Sequence, residues 1–302
     1  MKVLVLHTLA PESTDPGRST EEFDLLSSAE CVASELPGAA VCGVRGEIRE
    51  ILDALDHHAP DVVFNLCEAP LGKPQFEAHA AGLFEWAGVR FTGSGSETLA
   101  LCRRKDLTKA VLAGAGVRVP RAGVFPCIVK PAAEDGSAFL HADSVCADEG
   151  EAARAVSRLR GPAVVEEFLP GREFAVSLWG RTDPEYVSIG ETIFLGEVRL
   201  NTYAGKWDTE HEEYRNTPLV YNGEIDGALL DAVAGAAKGA WRATGIRGYA
   251  RIDVRLGPDG LPCVLDVNPN PALNPEVGVH RAAEEIGWSW EEFVKCQVNW
   301  AL

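Results

Sequence analysis

Apolar and polar residues alternate most regularly in two runs near the end of the chain, residues 250–256 (ARIDVRL) and 263–268 (CVLDVN). Alternation with a period of two predicts β-strands, because successive side chains of a strand point to opposite faces of a sheet. A Gly-Pro-Asp-Gly sequence at 257–260 separates the two runs. The stretch as a whole therefore predicts a β-hairpin.

The alternation puts Arg251, Asp253 and Arg255 on one polar face of this hairpin. If the connection spans residues 257–262, Asp253 lies opposite Asp266 and Arg251 lies opposite Asn268. Like charges directly across two strands destabilise a sheet, so the two carboxylates need a compensating cation. Carboxylate and amide oxygens suit Mg²⁺, which proteins hold through one or two carboxylates plus substrate phosphates. The alternative interpretation is a solvated hairpin face with a cross-strand ion pair.

Residues 1–94 alternate strand and helix patterns, which predicts a parallel sheet with helices on both faces. The predicted strands are Val3–His7, Ala40–Val44, Asp61–Cys67 and Val89–Thr92. Ligands of such sheets bind at the carboxyl ends of the strands. This segment contains no GxGxxG sequence, so a nicotinamide-dependent enzyme lacks its main support.

The middle of the chain combines two predicted strands, 127–131 and 163–169, with a loop of small residues at 132–138 (AAEDGSA). Lys130 nearly ends the first strand, and burial of its ammonium group is costly without a partner. A bound phosphate would be such a partner, with backbone N–H groups of the loop capping a second phosphate. A lysine that extends from the strand end to solvent is the alternative.

Two antiparallel-looking strands are predicted at 173–179 and 186–191, and a helix at 224–244 precedes the hairpin. Between them, residues 201–216 are rich in aromatic and charged side chains and are predicted to be a loop. Loops of this length in compact domains are usually functional or mobile. Two short helical patterns close the chain near Trp300.

Composition narrows the classes of function. The 302 residues are 46% hydrophobic and 24% charged, as in an ordinary globular protein with two or three subdomains. A net charge of −17 argues against nucleic-acid binding, so an anionic ligand must be met by local lysine, arginine or Mg²⁺. We expect no membrane partner, because no apolar run is long enough to span a bilayer. Eight cysteines without a CxxC pair predict reduced core residues of a cytoplasmic protein.

Six motifs follow one another along the chain: Lys105, VKP at 129–131, EEFLPGRE at 166–173, YAGKW at 203–207, RIDV at 251–254 and LDVNPNP at 265–271. With these motifs the chain resembles the ATP-grasp superfamily, and within it the D-alanine–D-alanine ligases and their relatives with an NPNP sequence. The resemblance covers essentially the whole chain, including the stretch FTGSGSETLALCRRKDLTKAVLAGAGVRVP.

The resemblance implies an α/β protein of ATP-grasp fold. It divides the chain into an N-terminal parallel α/β domain (1–94), a central subdomain (95–172) and a C-terminal catalytic subdomain (173–302). The last two would clasp the nucleotide between them. The implied cofactors are ATP and Mg²⁺.

The resemblance also assigns roles to residues that match the motifs. Those implied to contact phosphates or lie beside them are Lys105, Lys130, Ser137 and, on the γ-phosphate, Lys206 from a closing loop. Those implied to form the adenine slot, with backbone groups of the strand contacting the edge of the base, are Glu166, Glu167, Phe168 and Leu169. Glu173 would accept hydrogen bonds from the ribose. Arg251 would steady the oxyanion and the acyl-phosphate, and the implied Mg²⁺ ligands are Asp253, Asp266 and Asn268.

The chain departs from the ligases at its substrate side. Asp266 and Ala272 stand where the ligases have a glutamate and a glycine. By spacing, Val277 stands where the ligases have a downstream serine that binds the acceptor carboxylate. Asn274 and Arg281 are candidates to replace that serine. The segment 119–129 is also shorter than in the ligases.

The first substrate's pocket differs as well. The sequence FNLCEAPLGKPQFE stands where the ligases have a His-Gly-rich loop. Glu12, Glu68 and Glu77 are candidates to pair a substrate amino group, although each is as readily explained as a surface acid.

The predicted function is therefore an ATP-dependent carboxylate–amine ligase that forms an amide or peptide bond through an acyl-phosphate. Phosphoryl transfer needs positioning and charge neutralisation, which lysines, an arginine and Mg²⁺ supply. Amino acids or peptides are the expected substrates, with D-alanine as both substrates less favoured. The alternative is a non-catalytic ATP-binding protein with a regulatory or scaffold role. A homodimer through the first domain is a further expectation from the resemblance.

Overall fold

The structure is a computed structural model that describes residues 1–10, 25–134, 137, 139–196, 199–208, 210–221, 225–273 and 278–302. Its named strands form three separate sheets of four, three and five strands. The prediction of a mixed α/β architecture is confirmed. None of the helices in these ranges is both long enough and apolar enough to cross a membrane.

The first sheet is parallel, as predicted, with the strand order β2-β1-β3-β4. Its strands are β1 (Val3–Thr8), β2 (Ala40–Val44), β3 (Val62–Leu66) and β4 (Arg90–Phe91). The helices of this part of the chain are α1 (Leu26–Ser34), α2 (Ile48–His58) and α3 (Glu77–Trp86). Side chains of β1 alternate between two cores, one shared with α1 and one shared with α2 and α3. Burial on both faces explains why β1 begins with four apolar residues and β3 with three.

The second sheet is antiparallel, in the order β6-β5-β7. Its elements are β5 (Cys127–Pro131), β6 (Val145–Cys146) and β7 (Ala163–Glu167), with helix α6 (Glu149–Arg158) packed against it. Helices α4 (Ser96–Cys102) and α5 (Lys105–Gly114) connect the first sheet to it. Helix α6 begins where Asp148 accepts a hydrogen bond from the N–H of Glu151, as an N-cap aspartate does.

The third sheet is antiparallel and contains the hairpin. Its strands are β8 (Glu173–Gly180), β9 (Tyr186–Thr192), β10 (Leu219–Val220), β11 (Gly248–Leu256) and β12 (Pro262–Asn268), in the order β10-β9-β8-β11-β12. Helix α9 (Gly227–Thr244) packs on one face and ends at Gly245, whose φ of +69° favours glycine. Helices α10 (Val279–Glu285) and α11 (Trp290–Ala301) pack between this sheet and the first one.

The prediction of a loop at 201–216 is wrong in part, because two short helices lie there. Helix α7 (Tyr203–Trp207) is capped by the hydroxyl of Thr202, and helix α8 (Glu212–Arg215) by the ring of His211. Helices of four or five residues make little more than one turn, so they leave no apolar period in the sequence. Each of the three sheets lies inside one predicted unit, while the boundaries at 94/95 and 172/173 stay predictions.

The start of β11 touches the first sheet so closely that only glycine fits. Gly248 has a φ of +79°, and a Cβ there would lie 3.0 Å from the Cα of Gly93. We expect Gly248→Ala to lower the free energy of unfolding by about 1–3 kcal/mol, since it adds backbone strain and a close contact. Urea denaturation monitored by tryptophan fluorescence measures the change.

The matched control for this substitution is Gly235→Ala, in the exposed middle of α9, where a Cβ meets nothing within 4 Å. It should stabilise the protein by about 0.5–1 kcal/mol, because alanine is the better helix former. Equal effects of the two substitutions would contradict the close approach of β11 to the first sheet.

Candidate active site

The register predicted for the hairpin is confirmed. Arg251 of β11 is opposite Asn268 of β12, and Asp253 is opposite Asp266, with an irregularity directly after Asp253. The expected compensating cations are side chains of the protein. Arg251 donates to Asp253 through Nε and Nη2, at 2.8 and 3.2 Å. Lys105 places its Nζ 2.9 Å from Oδ2 of Asp266.

Lys105 reaches this hairpin because it is the first residue of α5, whose start is fixed on the loop after β5. The backbone N–H of Lys105 donates to the carbonyl of Ala132 at 2.9 Å, and its side chain is only 5% exposed. Burial alone would raise the pKa of Asp266, but the positive charges of Lys105 and Lys130 outweigh it and lower the pKa. Asp266 is therefore a carboxylate at neutral pH.

Lys130 is buried, at 8% exposure, so the interpretation of a lysine extending to solvent is wrong. Its partner in the structure is Glu166, with Nζ 2.6 Å from Oε1. The antiparallel register of β5 and β7 sets Glu166 opposite Ile128, which brings Lys130, two residues further on, to the same face. The pairing joins residues distant in sequence, so the strand pattern alone did not indicate it.

Glu166 also contacts a second lysine that the sequence analysis did not identify. Nζ of Lys109 contacts Oε2 of Glu166, while Lys130 contacts Oε1. Lys109 follows Lys105 by four residues on α5, so both lie on the same side of the helix. That spacing was the available signal. Burial and the nearby charge of Lys130 lower the pKa of Lys109 to about 7.

The residues assigned to the adenine slot lie at the end of β7 and directly after it. The carboxylate of Glu167 accepts two hydrogen bonds from Arg121, at 2.7 and 2.9 Å. The backbone N–H of Glu167 donates to the carbonyl of Arg121, and that of Phe168 donates to the carbonyl of Pro126, each at 2.8 Å. Leu169 is buried. These contacts fix the edge of the strand before any ligand binds.

Glu173 is held by a buried arginine that the sequence analysis placed on the polar face of the hairpin without a role. Arg255 lies opposite Glu173 in the sheet, with Nη1 3.1 Å from Oε2. Its guanidinium lies over the rings of Phe168 and Phe194, 5.0 Å from each centroid, and donates to the carbonyl of Arg199 at 2.7 Å. Desolvation raises the pKa of Glu173 despite this partner.

The two segments expected to close over the site contact each other. The hydroxyl of Ser137 donates to the carbonyl of Asn201 at 2.9 Å, and the N–H of Tyr203 donates to the carbonyl of Leu140 at 3.1 Å. Lys206 lies in α7, one residue after Gly205, whose N–H is capped by Thr202. Ser137 and Leu140 are therefore each joined by a hydrogen bond to the residues at and just before the start of α7.

The NPNP sequence contacts the first sheet's part of the chain through Asn270. Its Nδ2 donates to Glu77 at 2.7 Å, and its Oδ1 accepts from the hydroxyl of Tyr249 at 2.9 Å. The amide oxygen of Asn268 accepts from the N–H of Asn270 at 3.0 Å, which tightens the turn. Ala272 follows this turn, where the ligases have glycine.

Glu68 follows β3, at the carboxyl end of the parallel sheet, where ligands of such sheets bind. Burial raises its pKa to about 7. Two further substrate candidates, Glu12 and Asn274, lie outside the described residues. Arg281 lies in α10 with its guanidinium 5.2 Å from the ring centroid of Tyr221.

The candidate Mg²⁺ ligands form no cage made of protein alone. Within the described ranges, no group of three His, Cys, Asp or Glu side chains is arranged to hold a metal ion. Asp253, Asp266 and Asn268 nevertheless supply hard oxygen donors on adjacent strands. Such a partial set fits Mg²⁺, which keeps water and substrate phosphates among its ligands.

The sequence profile of the family described as "D-ala D-ala ligase C-terminus" matches residues 104–299, about two thirds of the chain. This protein belongs to that family. The D-alanine–D-alanine ligase of Anaeromyxobacter dehalogenans (strain 2CP-C) is 28% identical to it over 295 residues, which cover 91% of each chain. An uncharacterized protein of Sinorhizobium fredii is 29% identical over 246 residues, 77% of this chain and 72% of its own.

Solved structures of D-alanine–D-alanine ligase share the fold. The crystal structure of the Bacillus anthracis enzyme complexed with ATP superposes on this protein with a TM-score of 0.76. The match covers all of this chain and 97% of the other, at 16% sequence identity. The predictions of an ATP-grasp fold of D-alanine–D-alanine ligase type and of an ATP-grasp ligase are confirmed.

The raised pKa of Glu68 makes stability depend on pH. Its native pKa of about 7 lies above the ordinary glutamate value of 4.5, so between these values the native state binds the extra proton. Stability then falls as pH rises from about 4.5 to 7. From pH 5 to pH 8 we expect the wild type to lose about 1–3 kcal/mol more than Glu68→Gln, since partial solvent access reduces the full shift.

Urea denaturation of both proteins at pH 5 and pH 8 measures this difference, and the variant cancels contributions from other titrating groups. Parallel pH profiles for the wild type and Glu68→Gln would show that Glu68 ionises in its native environment as it does in water.

Proposed function

We propose that this protein is a Mg²⁺-dependent ligase that uses ATP to activate a carboxylate as an acyl-phosphate and passes the acyl group to an amine. The observation that carries the proposal is the facing pair Asp253 and Asp266, with Lys105 and Arg251 in direct contact with them. A nucleotide triphosphate needs positive side chains beside its phosphates, and its metal ion needs carboxylates, so both kinds of residue must lie close together.

Three ion pairs lie among the charged residues assigned to the site. Lys105 pairs with Asp266, Arg251 with Asp253, and Lys130 with Glu166. With ATP and Mg²⁺ bound, the lysines would contact phosphates in place of carboxylates, and Asp253 and Asp266 would contact the metal in place of a lysine or arginine. Buried groups then remain paired before and after binding, which avoids the large cost of an isolated buried charge.

The residues of the chain divide the proposed reaction among them. Lys105 and Lys130 bind the α- and β-phosphates, and Lys206 in α7 meets the γ-phosphate. Asp253, Asp266 and Asn268 would hold Mg²⁺, which would supply positive charge beside the transferred phosphoryl group. Arg251 stabilises the negative charge that develops when the substrate carboxylate attacks.

An acyl-phosphate is consumed by water unless the site is closed. The contacts of Ser137 with Asn201 and of Tyr203 with Leu140 support a wall that excludes water on one side. An amine nucleophile then attacks the acyl carbon, phosphate leaves, and the amine's surplus proton passes to a base or solvent.

The acidic side of the site supports an amine-bearing substrate. Glu68 lies at the carboxyl end of β3, and Glu77 is fixed by Asn270 of the NPNP turn. Amino acids or peptides carry both the amine and the carboxylate that the reaction needs. Because Asp266, Ala272 and the sequence around Glu68 differ from the ligases, we propose substrates other than two D-alanines. The relatives' names identify D-alanine for those proteins.

The rest of the proposal concerns organisation. We assign residues 1–94 to the N-terminal domain, 95–172 to the central subdomain and 173–302 to the catalytic subdomain. The cytoplasmic location and a homodimer through the first domain stay predictions. A non-catalytic role is not favoured by the ligase relatives or by the retention of Arg251, which ATP binding alone does not need.

Phosphate release tests the proposed reaction. Purified protein with ATP and Mg²⁺ should release phosphate when the right pair from a panel of L- and D-amino acids and dipeptides is present. EDTA should abolish the release, and added Mg²⁺ should restore it, since the facing aspartates need the metal to bind the triphosphate. ATP binding with no substrate-stimulated release across a broad panel would favour the non-catalytic alternative.

Two substitutions test the assigned charges. Lys130→Ala and Asp266→Ala should each lower kcat/KM for ATP by at least ~10³-fold, because they remove charge that opposes or organises the transferred phosphoryl group. Asp259→Ala is the control, since this aspartate lies in the turn of the same hairpin and pairs with Arg118 at the surface. Full activity of either of the first two variants would break the assignment.

A further inference from the structure

We propose that Lys109 is a positioning residue that makes the site select adenine, by keeping Glu166 charged and oriented while Lys130 binds phosphate. The inference rests on the proposed function, because it takes Lys130 and Glu166 as nucleotide contacts. The role of Lys109 itself follows from its own contacts in the structure.

Glu166 is held by two lysines from two different elements. Lys130 approaches from β5, the neighbouring strand, and Lys109 from helix α5. Glu166 is only 2% exposed, so water is a poor substitute for either cation. A carboxylate has about four lone-pair sites. Two ammonium groups therefore leave Glu166 able to accept a further hydrogen bond.

The two lysines differ in whether they would remain on Glu166 when a nucleotide binds. Burial and the charge of Lys130 lower the pKa of Lys109 to about 7 while both lysines lie on Glu166, so movement of Lys130 towards a phosphate removes one of the two causes and lets Lys109 hold its proton more firmly. Lys130 nearly ends β5, directly before the loop that begins at Ala132, and it is the lysine assigned to phosphate. When Lys130 turns to phosphate, Lys109 is the cation that remains on Glu166.

Without Lys109, that step would leave a buried carboxylate without a partner, which costs several kcal/mol. Glu166 would then take up a proton, turn away, or retain Lys130 and weaken its contact with the phosphate. Burial is already the first influence on the pKa of Glu166, and the charges of Lys130 and Lys109 are what lower it. Lys109 thus preserves a hydrogen-bond acceptor at the end of β7.

An obligatory acceptor discriminates between purine bases. The amino group at position 6 of adenine donates to a carboxylate, whereas the oxygen at position 6 of hypoxanthine is repelled by it. A protonated Glu166 would reverse this preference, since its O–H donates to that oxygen. The charge state of Glu166, and with it Lys109, therefore sets the preference for ATP over ITP.

The test compares Lys109→Met with Lys109→Arg, using ATP and ITP as alternative phosphoryl donors. We expect Lys109→Met to raise KM for ATP by about 10- to 100-fold with kcat changed only a few-fold, since the lost contact is already made in the ground state. The ratio of kcat/KM for ATP to that for ITP should fall by at least ~10-fold. Lys109→Arg keeps the charge and should keep the ratio within about 3-fold.

Lys295→Met is the matched control, because Lys295 pairs with Glu291 on the exposed side of α11. It removes a lysine–glutamate pair far less buried than Lys109–Glu166 and should change neither KM nor the ratio. A merely structural lysine at position 109 would lower the amount of folded protein and leave the ATP-to-ITP ratio unchanged. An unchanged ratio in folded Lys109→Met overturns the inference.

A second set of measurements keeps the inference testable if Lys109→Met alone does not fold. Glu166→Gln removes the group through which Lys109 acts, so adding Lys109→Met to it should change the ratio by less than about 2-fold. Additive effects of the two substitutions on the ATP-to-ITP ratio would contradict the inference. Calorimetric binding of ADP and IDP reports the same preference without turnover. Absence of substrate-stimulated phosphate release in the wild type would sink the proposed function, while the two binding constants still decide the role of Lys109.

Discussion

The pairing of buried charges is the constraint that organises this structure. Three groups of residues each place at least one almost fully buried ionic side chain beside one of opposite charge. They are Lys105 with Asp266, Lys109 and Lys130 with Glu166, and Arg255 with Glu173. Removal of one partner from such a pair costs several kcal/mol, whereas the intact pair contributes little net stability. Ion pairs of this kind are therefore poorly explained as stabilising features. A site that must accept the charges of a nucleotide and its metal explains them better.

The fold supplies the pairs from elements that do not depend on one another. Helix α5 carries two lysines at a four-residue spacing, β5 and β7 supply Lys130 and Glu166, and the hairpin supplies Asp266. The backbone contact between Lys105 and Ala132 fixes the helix against the second sheet, so the second and third sheets meet at these side chains. A movement of one sheet relative to the other would change the distances between opposite charges. The distances within these ion pairs therefore depend on the relative position of the second and third sheets.

The parts of this arrangement that were predictable are those encoded by local pattern. Period-two alternation gave the register of Arg251 with Asn268 and of Asp253 with Asp266, because one turn fixes both strands. Apolar runs gave the strands of the parallel sheet. The partner of Lys130 was not predictable, since Glu166 lies 36 residues away and meets it only after two strands pair. Helices α7 and α8 were not predicted, because elements of four or five residues are too short to show a helical hydrophobic period.

Arg255 shows a different limit of sequence reasoning. Alternation placed it with Arg251 and Asp253 on the polar face, and a polar face was expected to meet solvent or ligand. In the structure Phe168 and Phe194 cover that end of the face and the guanidinium is buried between them. Polar pattern identifies the face of a strand, but the segments that later cover the face decide which residues remain accessible. Lys109 was missed for the converse reason, because a lysine on a helix near the surface is ordinarily solvated.

Exchange of partners in the site has a thermodynamic consequence for its two ligands. Nζ of Lys105 lies 2.9 Å from Oδ2 of Asp266, so under the proposed function a metal at Asp266 would repel this ammonium group and favour its contact with a phosphate. Under the proposed function, each ligand would then favour the other, so ATP and Mg²⁺ would bind with positive coupling that is equal in both directions. Asp266 is one methylene shorter than the glutamate of the ligases, and in the structure its carboxylate still reaches Lys105.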